Sequence, residues 1–266
     1  MIFTLFLIFV CESWIQSQDT GMDYTINEYS GIKEILQINS TGFNGVIVTD
    51  PGIFTEGDTV LFIEVKGAEI YSPVSAKNTP LILWGKIYDL NNTGIYALLF
   101  IERIAGDTII FNNSLPELAP LKAGDVCQLV KIKTFDILEV NRQINCKPWD
   151  PVSGTGGVLV LFARHKIILN ANIDASGSGF RGAKPYHFGS AASVTNVMNK
   201  DQFTGFCSTF ILAFYPDSPK IIAGYKGESI VRDNFPSIKG FNNMANGGGG
   251  GNGLLSGGGG GSVKAH

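Results

Sequence analysis

The sequence predicts a mainly β protein, with a small β-barrel or sandwich region followed by a β-helix-like, glycine-rich region. Three observations carry that expectation. Short runs of β-branched and aromatic residues recur between turn signals from 43 to 145. The composition then shifts: residues 1–153 hold 11 glycines and a net charge of −8, whereas residues 154–266 hold 22 glycines and a net of +5. Polar residues also occupy alternate positions of a late strand, as stacked strands with polar corners require. A hydrophobic content of 44%, with 18 Phe and 8 Tyr, is ample for a packed core.

Taken in order, residues 1–17 read as a signal peptide. Ile2 to Val10 is an apolar run of h-region length, too short to span a bilayer, although no Lys or Arg precedes it. Cleavage after Ser17 leaves Gln18 first, and the remaining chain has no apolar run of about 18 residues, so no transmembrane segment is expected.

Residues 18–150 form the expected barrel or sandwich. Its strands are Gly45–Val48, Thr59–Val65, Leu81–Trp84, Tyr96–Ile101, Thr108–Phe111 and Cys127–Ile132. Turns fall at Asp50-Pro51-Gly52, Asn91-Asn92-Thr93-Gly94 and Ala105-Gly106-Asp107. A Gly-Asp pair opens a strand three times, at Gly57-Asp58, Gly106-Asp107 and Gly124-Asp125. Glycine supplies the positive φ of a tight turn, and aspartate bonds the backbone at the strand entrance. A helix is admitted only around Ile26–Ile38.

Residues 151–246 form the expected β-helix-like region, entered through Pro148-Trp149-Asp150-Pro151. Two strands are expected, Gly157–Ala163 and Lys166–Ile173, joined by an exposed Arg164-His165-Lys166 connection. Asn170, Asn172 and Asp174 alternate along the end of the second. Residues 247–266 form a polyglycine repeat segment, with pentaglycines Gly247–Gly251 and Gly257–Gly261. Such a tract is either a flexible linker or a packed array of extended glycine backbones.

Motifs for chemistry are sparse, and no catalytic, cofactor-binding or metal-ligating residue is assigned. Gly177-Ser178-Gly179-Phe180-Arg181-Gly182 matches GxGxxG, but Pro185 follows and no helical period does, so it reads as a turn. Cys127, Cys146 and Cys207 lack CxxC spacing and read as buried small hydrophobes; a bridge between Cys127 and Cys146 stays open. Asp174, Asp201, Asp217, Glu228 and Asp233 are the carboxylates a glycosidase in the second region would draw on. The basic residues are scattered from Arg164 to Lys264, which argues against nucleic acid as a partner. Sequons stand at Asn39, Asn91 and Asn112.

A set of ordered landmarks then resembles a family. These are Gly57-Asp58-Thr59-Val60-Leu61-Phe62-Ile63-Glu64-Val65-Lys66-Gly67-Ala68, then Trp149-Asp150 with Gly156-Gly157-Val158-Leu159, and then Asn172 to Gly182. Tyr225-Lys226-Gly227-Glu228 follows, and Ala245-Asn246 precedes the pentaglycines. Over residues 45–262 the chain resembles the N-terminal region of large secreted, glycine-rich, adhesin-like surface proteins of gliding and related bacteria. Cys146-Lys147-Pro148 departs from the pattern. The resemblance implies a secreted or cell-surface location, type IX export, and a fragment of a longer chain. It implies a structural or adhesive, non-catalytic role, with an extracellular glycan or matrix and the cell envelope or secretion machinery as partners. The alternative is a carbohydrate-active enzyme or glycan-binding module on a β-helix scaffold, for which Trp84, Trp149 or tyrosines would line a groove.

Overall fold

A computed structural model describes residues 25–38, 42–72, 83, 85–183, 224–232, 239–240 and 244–250. The expected signal peptide, Cys207, Asp201, Asp217, Asp233, Trp84 and the second pentaglycine lie outside them. Among the described residues the protein is mainly β.

The first region is a closed barrel. Its strands are β1 (Glu28–Leu36), β2 (Gly45–Val48), β3 (Thr59–Lys66), β6 (Tyr96–Ala105), β7 (Thr108–Phe111) and β8 (Val126–Ile132), in the order β1-β2-β7-β6-β3-β8. Every neighbouring pair whose register is known runs antiparallel. The two-residue alternation points Val46, Val48, Val60, Phe62, Leu99, Ile101, Ile109, Phe111, Cys127 and Leu129 into one buried core. Register shifts interrupt β1 between Ile32 and Glu34, β3 between Glu64 and Lys66, and β6 between Ile101 and Arg103. Such bulges bend and twist strands, which a closed sheet of short strands requires. A short β4 (Glu69–Ile70) pairs with β5 (Ile87–Asp89) beside the barrel.

The three Gly-Asp turns have the expected glycine conformation, and two of them the expected aspartate bond to the backbone. Gly57, Gly106 and Gly124 have φ of +88°, +65° and +92°. The Asp58 carboxylate accepts from the Thr55 amide at 2.7 Å, and Asp125 from the Lys122 amide at 2.7 Å. The same three-residue step thus caps two separate strand entrances.

The helix admitted around Ile26–Ile38 is a strand, β1. Ile26, just before it, and Tyr29, Ile32 and Ile35 within it are three apart, which imitates a helical face. The competing demand is barrel closure: β1 bonds β2 along one edge and β8 along the other. Gly31, a poor helix former, sits in its middle. Of the expected strand Leu81–Trp84 only Leu83 is described, and its carbonyl accepts from Lys86 in a turn (2.9 Å).

The second region is built from parallel pairs. β9 (Thr134–Val140) lies along β11 (Phe162–Leu169), with Thr134 opposite Phe162 and Val140 opposite Leu169. β10 (Ile144–Asn145) lies along β12 (Ile173–Asp174), with Ile144 opposite Ile173. The offset is 28 residues at the first of these pairs and 29 at the other two. Asn170 donates to Asn141 at 2.8 Å and the Trp149 amide to the Ser178 carbonyl at 2.8 Å, each again 29 apart. These ladders join residues on both sides of position 150.

The expected strand Gly157–Ala163 is divided differently. Only Phe162 and Ala163 belong to β11, and Arg164-His165-Lys166 lies within that strand, at a register shift, rather than in a connection. Residues 158–161 instead form an extended strip between the two regions. Val158 and Val160 pack against Tyr29, Leu61, Val130 and Ile132 on the outer wall of the barrel. Leu159 and Leu161 pack against Ile26, Leu138, Val140 and Ile144 in the parallel region. One alternating strip therefore serves two cores. Asn27 holds it as a strand would: its side-chain amide donates to the Val160 carbonyl (3.0 Å) and accepts from the Val160 amide (2.8 Å).

Candidate functional site

Where the chain returns, residues 224–232 fasten the barrel to the parallel region. The Gly67 and Ala68 amides donate to the Ile230 carbonyl, and Ala68 bridges Val231 in parallel. Glu228 is the centre of this junction. Lys66 Nζ, from the end of β3, lies 2.5 Å from Glu228 Oε1, and Trp149 Nε1 donates to the same oxygen at 2.8 Å. The Arg181 amide donates to Oε2 at 3.1 Å. Burial raises the Glu228 carboxyl, but the bonds from Lys66, Trp149 and Arg181 outweigh it and hold the pKa below its ordinary value. The Lys66 ammonium also faces the rings of Trp149 and Phe180, 5.6 and 5.1 Å from their centroids, and those rings meet edge to face.

This arrangement decides several expectations. Trp149 is only 6% exposed, so it anchors the junction instead of lining a groove. Phe180, inside the GxGxxG match, packs on Trp149, and Gly177 makes a turn with φ of +67°, so the segment is a packed loop. Glu228 is committed to an ion pair. Asp174 sits in β12, where its carboxylate accepts from the Ser176 amide at 2.8 Å.

A second ionic group surrounds Arg232. Its Nε lies 2.5 Å from Asp125, its Nη1 bonds Glu69, and its Nη2 donates to the Gly67 carbonyl at 3.1 Å. Glu69 also accepts from Tyr88 (2.5 Å) and Lys122 (3.1 Å). The Tyr88 bond comes first in pulling the Glu69 carboxyl down to about 2. The sequon at Asn91 is engaged here too, its amide donating to Gly67 at 2.9 Å.

Beneath this group Glu64 is fully buried. The Cys127 thiol donates to its Oε2 at 3.6 Å, while Oε1 has no hydrogen-bond partner. Burial raises its pKa to about 7, and the neighbouring Asp125 adds to the rise. A side chain at Gly67 would collide with Glu64 Oε1, so only glycine allows this approach. Cys127 and Cys146 are free, buried thiols, which closes the open question of a bridge between them. Among the described residues no group of three or more His, Cys, Asp and Glu is placed to hold a metal ion, and no helix is long and apolar enough to cross a membrane.

The first pentaglycine, as far as Gly250, packs backbone on backbone. Gly227 donates to the Gly248 carbonyl and Gly250 to Gly240, each at 2.8 Å, and a side chain at Gly250 would strike the Gly224 carbonyl.

The surface feature that the sequence reading missed is an apolar row on the outer face of β6. Tyr96, Leu98 and Phe100 alternate along one strand and are 68%, 46% and 47% exposed. They stand opposite Ile63, Leu61 and Thr59 of β3, where the cluster beneath Val158 and Val160 ends. Tyr88, its ring tilted against that of Tyr71 with centroids 5.0 Å apart, adds an exposed ring on β5. The signal was present in the sequence: Tyr96 to Ile101 is apolar at both parities, so one face could not fit inside the barrel.

No family model and no curated protein matches the chain. Among solved structures the chain is similar to the Gp54 tailspike of Acinetobacter baumannii bacteriophage AP22, solved in complex with A. baumannii capsular saccharide. The identity is 13% and the TM-score 0.25, over 56% of this chain and 24% of the tailspike.

Proposed function

We infer that the chain is an exported structural or adhesive surface protein, non-catalytic, that holds an apolar and aromatic face toward an extracellular glycan or matrix. The observation that carries this reading is the Tyr96, Leu98 and Phe100 row on a closed barrel. A contiguous exposed apolar row on a rigid scaffold is a place for contact with another surface. Export and cell-surface placement rest on the amino-terminal apolar run and on the landmarks shared with adhesin-like proteins of gliding bacteria. The β-helix-like reading of the second region rests on its two parallel ladders and their offset of one coil.

A glycan array probed with the full chain, with released sugars monitored in the same wells, tests the reading. The expected result is reproducible binding without product, weakened by Tyr96→Ala. Released sugar would overturn the non-catalytic claim, and an array without binding would overturn the glycan as partner.

A further inference from the structure

Glu64 continues the inward row of Val60 and Phe62 along β3, so a carboxyl group stands where the alternation calls for an apolar side chain. A buried carboxylate is held by donors, and Glu64 has few. The Cys127 thiol of β8 reaches Oε2 at 3.6 Å, and Oε1 has no partner among the described residues. Asn92, in the turn before β6, favours the ionised form, but its amide is committed to the Ala119 carbonyl at 2.8 Å. Asp125, at the entrance of β8, adds negative charge, and Arg232 is already shared by Asp125 and Glu69. Lys66, two residues on, is turned to Glu228. One weak donor beside a negative charge favours the neutral carboxyl, which is able to donate. An acceptor is at hand: Thr93 Oγ1 is a second buried oxygen without a partner. Both oxygens border Gly67, Glu64 Oε1 at 2.1 Å and Thr93 Oγ1 at 3.0 Å from where a β-carbon would stand.

Gly67, which covers Glu64, is also where residues 224–232 are fastened. The Gly67 and Ala68 amides donate to the Ile230 carbonyl at 3.1 and 3.2 Å. The Arg232 amide donates to the Ala68 carbonyl at 3.0 Å, and its Nη2 to the Gly67 carbonyl at 3.1 Å. We propose that Glu64 and Gly67 form a proton-operated latch: with Glu64 protonated, residues 224–232 lie closed on the barrel mouth, and their release from Gly67 and Ala68 lets water reach Glu64, which gives up its proton. Release is therefore harder in acid than at neutral pH. The cause is solvation, because the closed state shuts the carboxyl away under Gly67 and the open state returns it to water. Other groups of the junction act outside this window. Glu69 is held down at about 2, and Lys226, lowered to about 7 by burial, gains its proton on the alkaline side. The latch does not rest on the glycan reading, since it lies inside the barrel and the Tyr96 row on its outer face.

Amide hydrogen exchange in the full chain, followed by NMR from pH 5 to 7 and corrected for the intrinsic rates, reads the latch. Glu64 moves between 4.5 in water and about 7 when buried, so opening at Gly67, Ala68 and Arg232 should rise about tenfold per pH unit across that window. The same three amides should open more often than those of Val48 and Phe111, which are bonded within the barrel wall. Equal protection of the two sets would mean that the chain opens only as a whole, and the latch would be refuted. Glu64→Gln has no proton to lose and should abolish the pH slope at the three junction amides. A slope that survives the substitution would assign the effect to another group. The wild-type chain supplies an arm that needs no variant: the carbon signal of the Glu64 carboxyl should titrate near 7, and titration near 4.5 would overturn the proposal.

Discussion

The barrel and the parallel region use the same strand chemistry and differ in how they treat edges. In the barrel each of six strands has neighbours on both sides, and its inward residues, among them Phe62, Leu99 and Ile109, are fully buried. Among the described residues of the parallel region four strands form two separate pairs, and the rank Ile167, Leu169 and Ile173 is exposed. A closed antiparallel sheet satisfies its own backbone, whereas a parallel pair satisfies only one edge of each strand. Among the described residues, burial is therefore concentrated in the barrel.

Core truncation gives the widest contrast between the two. Phe62→Ala should cost about 3–5 kcal/mol, because a fully buried ring is replaced by a cavity. Leu169→Ala, at an exposed position, should stay within about 0.5 kcal/mol. Urea unfolding of both variants checks this, and a large loss at Leu169 would mean that its rank is covered.

The junction is the next place to press. Glu228→Leu strips the counter-ion from buried Lys66 and the acceptor from Trp149, for an expected loss of about 3–5 kcal/mol. Lys66→Met combined with Glu228→Leu should recover most of it, because the cost is that of a buried charge deprived of its carboxylate. Thermal melts of the single and double variants decide between an ionic and a purely steric junction. Equal losses in both would favour the steric one.

The smallest effect is a pH dependence divided between the barrel and the returning segment. Folded Glu64 titrates near 7 against 4.5 ordinarily, so the folded state keeps a proton that the unfolded chain releases. Its contribution to stability is fully present below pH 4.5 and is lost as pH rises through 7. Lys226 behaves oppositely: burial lowers it from 10.5 to about 7, and its amine donates to the Gly240 carbonyl at 3.1 Å. Its contribution is present above pH 10.5 and is lost as pH falls through 7. Together they place a shallow minimum of stability near pH 7, on the order of 3 kcal/mol below the acid side. Glu64→Gln should flatten the acid limb and Lys226→Met the alkaline limb in urea midpoints measured from pH 4 to 10. A profile lacking the acid limb would contradict the Glu64 assignment, and one lacking the alkaline limb that of Lys226.

Much of the barrel was legible in the sequence. β2 and β7 have the bounds their apolar runs imply, and β3 and β8 differ from theirs by one residue. The Gly-Asp turns were legible as well, because a positive φ and a carboxylate near its own backbone are local requirements. A composition change after 153 and polar alternation from Asn170 to Asp174 pointed to a different second region. That much followed from side-chain period and turn chemistry, which depend on residues close together in the chain.

The tertiary structure alone decided the remainder. Residues 26–38 carry a helix-like spacing, yet the gap between β2 and β8 makes Glu28–Leu36 the strand β1. Residues 158–161 have the alternation of a sheet strand, yet lie as a strip between two cores. Glu228 finds Lys66 across 162 positions, and nothing near either residue announces the other. The exposure of the Tyr96 row and of Leu169 likewise depends on which faces the rest of the chain covers. Local pattern states what a segment is able to bury, but only the assembled chain determines what it is buried against.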